Sequence, residues 1–409
     1  MKKIFLSIVL AFYANADNLK SILNYALIHN DLSVAKDINT KQPLLESESI
    51  KKDYFPKLYI GAAYQRNDPK LLGRAGDTYN GYVKLSFNIF DGNKKKYQIN
   101  AKKFEFQSLN FQSKSYKKQL EYNIVNLYFN IKSLQANLEA LQKAKEYLTA
   151  EYKRVKNLFN TGSVTEDEVK KIEASLFNTI YQIDNIKYKI TELKRNLNLY
   201  VGKDVKNIGS SIIIPPFNIK VDTLDTIKSL KAQLKAIEYN AKALDSAYLP
   251  QINIEDTYSI YGYERTDALH PKGEDHENQI ILSINMLIFD NNSIKKQKEA
   301  VLIQKLSLQK QINYYEKEQK KNIKLALLNI KTIKAQIISA KKALQSANIA
   351  FKIVSNKYKS GDATVVDYLD ALSVKTNALA QYKAALYQLQ VAYAAYYLYT
   401  NQDIKEYVK

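Results

Sequence analysis

The chain has 409 residues, a formal charge of +20 at pH 7, three histidines and no cysteine. The missing thiols exclude disulfides, thiolate metal sites and lipid attachment through a cysteine, so stability has to come from packing and association. The charge raises nucleic acid as a partner, but lysine is spread along the whole chain among Asn, Ile and Tyr with no clustered arginine, the pattern of solvated helix faces; no nucleic-acid partner is expected.

Residues 1–16 have the three parts of a secretory signal: Lys2 and Lys3, an apolar run from Ile4 to Tyr13, and Ala14-Asn15-Ala16 as a small-x-small cleavage site. The mature chain is expected to begin at Asp17. No later stretch approaches the roughly 18 to 20 uncharged apolar residues of a spanning helix. The mature chain divides into two repeats, 17–201 and 202–409. Phe90-Asp91 returns as Phe289-Asp290, Asn130-Ile131-Lys132 as Asn329-Ile330-Lys331, and Gly162 as Gly361, all at an offset of 199. That period is far longer than a solenoid or propeller unit, so one domain has been doubled.

In the first repeat, a strand hairpin is predicted over about 54–90. It opens at Pro56, and Val83, Leu85, Phe87 and Ile89 alternate with polar neighbours, the period-2 signature of a strand with one apolar face. A helical hairpin over about 93–201 follows, because neither Gly nor Pro interrupts Asn93 to Thr161 or Ser163 to Val201. In the second repeat a linker and helix occupy about 202–247. A strand hairpin over about 250–289 carries Ile280, Leu282, Ile284, Met286 and Ile288 on one face, and a second helical hairpin runs over about 293–400. The first helix of each hairpin spans nearly 70 residues, roughly 100 Å at 1.5 Å per residue. Ile323, Leu327, Ile330, Ile333, Ile337, Ala340, Leu344, Ala347 and Phe351 step by three or four, a coiled-coil stripe that needs neighbours along its length.

Four strands, each expected to run about 9 to 11 residues, have barrel-spanning length but cannot close a barrel alone, and an open edge is not tolerated in lipid. The predicted fold class is therefore an α+β membrane protein in which three chains supply a twelve-stranded barrel continued by an α-helical coiled-coil barrel. No phosphate loop, nucleophile elbow or metal-binding helix is present, and no enzyme activity, cofactor or metal is predicted. His270 and His276 fall in the polar segment that joins the second strand pair, expected as a solvated extracellular loop. Asp367 and Asp370 stand three apart after the second helical turn, hence on one face. Threefold symmetry would make each a ring of carboxylates that favours cations; the competing reading is two solvated acids near a helix start, where the helix dipole welcomes them.

Taken together these features resemble the TolC family of bacterial outer-membrane efflux channels, over essentially the whole mature chain. Tyr54-Phe55-Pro56 and Ala247-Tyr248-Leu249-Pro250 resemble the family's entry to each strand hairpin, and Ile89-Phe90-Asp91-Gly92 its strand-to-helix junction. The fullest likeness is Tyr358-x-x-Gly361-x-x-Thr364-x-x-Asp367-x-Leu369-Asp370-Ala371 at the second helical turn, echoed by Phe159-x-x-Gly162-x-x-Thr165-x-x-Glu168-Val169 at the first. The resemblance implies a homotrimer in the Gram-negative outer membrane, reaching into the periplasm, with residues 17–53 and 202–247 forming a collar. It serves as the exit duct of a tripartite efflux or type I secretion system. The tips at Gly162, Thr165, Gly361 and Thr364 would meet a periplasmic adaptor linked to an inner-membrane transporter. Asp367, Asp370, Tyr358 and Glu168 would form the periplasmic gate. The alternatives are a periplasmic adaptor or a structural coiled-coil protein of the envelope. The chain departs from the family where Asn88 and Leu287 replace a proline, where Asn93, Asn291 and Asn292 replace glycine, and where Ala363 replaces an arginine found in some relatives. Asparagine tolerates the left-handed conformation, so the junction turns are expected to survive.

Overall fold

The computed structural model describes residues 18–409, so the expected signal at 1–16 lies outside the described residues. The elements run α1 (Leu19–His29), α2 (Asp31–Asn39), α3 (Gln42–Lys52), β1 (Lys57–Arg66), β2 (Asp77–Asp91), α4 (Lys94–Asn160), α5 (Glu166–Val201), α6 (Asp225–Asp245), β3 (Gln251–Glu264), β4 (His276–Asn285), α7 (Ser293–Ser360) and α8 (Val365–Tyr399), with 3-10 turns at Ser246–Tyr248 and Ile404–Tyr407. Among the described residues, no helix is long and apolar enough to cross a membrane. Two compact units each draw on both repeats: one comprises residues 36–112 and 226–315, the other residues up to 35, 113–225 and 316–409.

The first unit carries one antiparallel sheet in the order β1-β2-β3-β4. Register sorts most of its side chains by face. Leu58 lies opposite Leu85, Ile60 opposite Val83 and Tyr64 opposite Tyr79; Val83 then meets Tyr258, and Phe87 meets Ile254; Ile254 meets Leu282, and Ile252 meets Ile284. Because directly paired residues share a face, these form one apolar surface, open to the outside, with Ile60 87% exposed. The other face collects Lys84, Ser86, Glu255, Thr257, Ser259 and Gln279. Asp256, between Leu85 and Ile280, and Asn278, opposite Tyr258, interrupt the apolar face, and Ile281, opposite Glu255, stands on the polar one. β1 and β4 each keep one edge unpaired within the sheet.

The sheet corrects two expectations. β2 and β3 have 15 and 14 residues, longer than the 9 to 11 expected, because pairing extends past the apolar core to a bulge at Asn88/Phe90 and to Asp77 opposite Glu264. β4 ends at Asn285, and Met286 and Ile288 lie outside it, because its partner strand begins at Gln251 opposite Asn285. Pro250, just before, has no N–H to continue the ladder.

The junctions confirm the duplication at the level of dihedral angles. Gly92 and Asn93 have φ of 70° and 68°, and their counterparts Asn291 and Asn292 have 53° and 63°. In each copy the preceding aspartate caps the rod: Asp91 Oδ2 accepts the Lys95 N–H at 2.9 Å and Asp290 Oδ2 accepts that of Ile294 at 2.8 Å. Gly92 is required for a second reason, since a Cβ there would sit 2.5 Å from the Ser246 carbonyl oxygen. In the same unit, α6 lies against the rod starts through Ser108–Ser229 (2.9 Å), the Phe104–Tyr239 ring stack and the Lys305–Glu238 ion pair (2.9 Å).

The second unit has two separate hydrophobic cores. The waist core gathers Leu19, Ile22 and Leu23 of α1, Ile124, Tyr128 and Phe129 of α4, Leu197 and Val201 of α5, and Tyr393 and Tyr397 of α8. The C-terminal segment closes over it. Ile213 pairs with Val408, Tyr397 Oη donates to the Ile214 carbonyl at 2.9 Å, and the rings of Tyr397 and Tyr407 stack at 3.9 Å. Polar groups around this core are paired: Lys118 reaches Asp225 at 2.7 Å and Asn401 Oδ1 at 3.0 Å, and Gln319 donates to the Asp222 carbonyl at 2.7 Å. Gly202 and Asn401, again 199 apart, end α5 and the segment after α8 at φ of 81° and 64°. The tip core lies towards the helical turns and contains Leu148, Val155, Ile172, Leu176, Phe351, Tyr358, Val365, Tyr368 and Leu372.

Candidate functional site: the helical-hairpin tips

Both hairpins reverse by the same device. Gly162 (φ 74°) and Gly361 (φ 86°) take the left-handed conformation, and the following N–H folds back onto the last helical turn, Ser163 to the Leu158 carbonyl at 2.9 Å and Asp362 to that of Lys357 at 2.8 Å. A side chain added at either glycine would meet no atom within 4 Å, so the backbone of both tips is uncovered.

The helices that leave these turns start differently. Thr364 caps α8 with a full capping box: its Oγ1 accepts the Asp367 N–H at 3.2 Å, and Asp367 Oδ2 accepts the Thr364 N–H at 2.9 Å and its hydroxyl at 2.6 Å. These bonds from Thr364 hold the Asp367 carboxyl below the usual range. Thr165 occupies the same place on α5 with extended backbone but makes no side-chain cap bond. Of the two acids read as gate residues, both are exposed, and Asp367 is bonded to Thr364 at the start of its own helix.

Glu168 and Tyr358, on different hairpins, come together with residues that sequence reasoning missed. Tyr358 is 6% exposed and stacks on Tyr368 at 5.1 Å. The Arg154 guanidinium lies over its ring at 5.1 Å, and Arg154 Nε donates to Glu151 Oε1 at 2.7 Å. Burial, with the negative charges of Glu151 and Glu168 nearby, pushes the Tyr358 phenol up to about 12 against the opposing pull of Arg154, and its buried Oη has no partner in hydrogen-bond geometry among the described residues. Further in, Lys375 of α8 lies 4.6 Å from the Tyr147 ring and 4.3 Å from that of Phe351. Stacked tyrosines and cation–π contacts therefore join α4, α7 and α8 near the tips, with the Arg154–Glu151 pair inside α4 holding the guanidinium in place; cation–π contacts are strongest when shielded from water. The signal available in advance was slender: Arg154 is one of five arginines and follows Glu151 at helical spacing. Outside the tips, His270 Nδ1 lies 2.7 Å from Asp267, which also binds Lys70 at 3.0 Å. This ties together the two polar loops beyond the strands, while His276 opens β4 instead of lying in the loop.

The architecture has known counterparts. The family model described as outer membrane efflux protein matches residues 48–203 and 225–402, one segment per repeat. Curated protein sequences contain no match. Among solved structures the chain is similar to the CmeC outer membrane channel of Campylobacter jejuni, at 20% identity over 94% of this chain and 85% of that one with a TM-score of 0.81. It is also similar to the outer membrane protein VceC of Vibrio cholerae (16%, 94% and 96%, 0.77) and to the open state of the MtrE outer membrane channel of Neisseria gonorrhoeae (15%, 94% and 89%, 0.78). At these identities the likeness is one of fold.

Proposed function

We propose a working mechanism for a chain that belongs to the outer membrane efflux protein family and so forms an exit duct in the Gram-negative outer membrane, a channel rather than a member of an enzyme class. Three copies close one barrel of twelve strands. The observation that carries this is the sheet, apolar on one face, polar on the other and unpaired along β1 and β4. In lipid those edges have to be satisfied by another strand, and the polar face then lines the lumen. The test is crosslinking and heat-modified gel mobility of the outer-membrane fraction. A heat-sensitive trimer is expected, and a monomeric periplasmic species would overturn the proposal, pointing instead to an adaptor or an envelope coiled coil.

At the other end, the uncovered tips at Gly162, Thr165, Gly361 and Thr364 are the surfaces offered to a periplasmic adaptor coupled to an inner-membrane transporter. The gate residues divide by role. Asp370, exposed and not engaged in the helix cap, contributes the outer charge of a carboxylate ring. Asp367 sets the helix start that positions it, and the Arg154–Glu151–Tyr358 cluster with Glu168 ties the two hairpins together in the resting state. Single-channel conductance with polyvalent-cation block decides this: Asp370→Ala should weaken the block more than Asp367→Ala, and equal, unchanged block in both removes the acids from the gate.

A further inference from the structure

The polar face of the sheet carries large aromatic surface as well as polar groups. Tyr59 of β1 lies opposite Lys84, which lies opposite Thr257 of β3. Tyr82 of β2 lies opposite Ser259, and Tyr261 and Tyr263 continue β3 at the alternate positions beyond it. All four rings therefore stand on the face of Lys84, Thr257 and Ser259. Counted along β3, Tyr59, Tyr82 and Tyr261 occupy the levels of residues 257, 259 and 261. Each step climbs two residues, about 7 Å, towards the outer loops and crosses to the next strand. The three rings form a staircase over the outer half of the sheet, with Tyr263 above the last of them.

The rings are held in place by their surroundings. Gly61 lies opposite Tyr82, and a Cβ there would sit 2.5 Å from the Tyr82 Cζ and Oη, so the Tyr82 ring lies across the glycine with one face against the strand. Tyr261 and Tyr263 stack at 6.2 Å. Tyr261 Oη donates to Glu277 Oε2 at 3.2 Å, and Tyr263 Oη to the Glu274 carbonyl at 2.8 Å. Lys84 Nζ lies 5.5 Å from the centre of the Tyr59 ring and 3.7 Å from Glu255: one ring of the staircase already holds a cation, and that cation's charge is balanced. Glu277, opposite Ser259, adds a carboxylate in the row of Tyr82. A tyrosine ring presents a negative face that attracts cations and stacks on flat rings, so a planar cation gains from both the ring faces and the carboxylate.

We infer that Tyr59, Tyr82 and Tyr261, with Glu277, form a site in the barrel lumen for planar aromatic cations, and that solutes of this class are held there on their way out. This rests on the proposed barrel, whose lumen the polar face lines. The test uses the purified full-length channel in a planar bilayer, with blocker added on the side of the outer loops. Ethidium, a planar aromatic cation, is compared with tetrabutylammonium, an aliphatic cation of the same charge. In the wild type ethidium is expected to half-block at about a tenth of the tetrabutylammonium concentration or less. Tyr59→Leu with Tyr82→Leu should raise the ethidium concentration about tenfold and that of tetrabutylammonium less than about twofold. Tyr59→Phe with Tyr82→Phe keeps both ring faces and should stay within about threefold of the wild type. Equal block by the two cations in the wild type, or ethidium block untouched by the leucines, overturns the inference. Phenylalanines that lose the block as the leucines do also overturn it, since hydroxyls and not ring faces would then carry the binding. Should the leucine pair fail to assemble, the wild type and the phenylalanine pair decide by the same criteria. A preparation with no conducting trimer overturns the barrel itself, an outcome distinct from conducting channels that treat the two cations alike.

Discussion

The two repeats have the same backbone plan and different chemistry at matching positions. Gly162 and Gly361 turn alike, and Asp91 and Asp290 cap alike, but Glu121 is buried in the waist core region of the first repeat where its counterpart Lys320 is exposed, and Arg154 is half-buried at the first tip with no arginine in the second. The cap at Thr364 is closed and the one at Thr165 open. A duplicated fold keeps what backbone geometry demands and is free to diverge where side chains meet unlike neighbours. Here the first repeat contributes the buried Glu121 and Glu151, and the second the ordered helix start.

The largest test of that asymmetry is pH. Glu121 is 2% exposed and its Oε2 accepts the Ile404 N–H at 2.6 Å; burial, with Asp403 nearby, raises its carboxyl from 4.5 to about 7, against the opposing pull of those backbone bonds and of Lys405. A folded pKa above the unfolded one means the folded state holds the proton more tightly. The contribution is therefore complete below about 4.5 and is lost as pH rises through about 7, on the order of 3 kcal/mol in all. Thermal unfolding followed from pH 4.5 to 8 should show this slope in the wild type and a flattened one in Glu121→Gln, and an unaltered slope would remove Glu121 as its source.

Next in size is Arg154→Ala, which strands the buried Glu151 carboxylate. A cost of about 2 kcal/mol is expected, below the full cost of orphaning a buried charge because Arg154 is one-third in water. Denaturant unfolding measures it, together with faster amide exchange near both tips. Thr364→Ala should cost about 1 kcal/mol through its lost cap, whereas Thr165→Ala should cost only a few tenths. Equal losses in the two variants would mean that the caps do not differ in solution. The smallest effect belongs to Tyr358→Phe. Removing a buried hydroxyl that has no partner in hydrogen-bond geometry among the described residues leaves stability within about 0.5 kcal/mol of the wild type or slightly above it, and a loss beyond about 1 kcal/mol would show that the hydroxyl is bonded.

Much of this was legible in the residues themselves. Breaker-free runs define the rods because a helix interior excludes glycine and proline, and alternation defines the strands because successive side chains face opposite ways. Asn93, Asn291 and Asn292 were readable as left-handed positions because asparagine tolerates that backbone. These are local rules, each satisfied within a few residues. Strand ends were not local: β4 stops where β3 has nothing further to pair with. Nor was the tip cluster, which needs Arg154 and Tyr358 to meet although they lie on different hairpins, far apart in the chain. Asp367 could be read either as a gate acid or as a solvated acid near a helix start, and its bonds to Thr364 appear only once the turn is folded. The sequence by itself determined the repeat, its elements and the need for partners, because these follow from periodicity and unpaired edges. The tertiary structure alone decided where the buried charges pair and where the two cores part, because those depend on which faces of distant helices come to lie against each other.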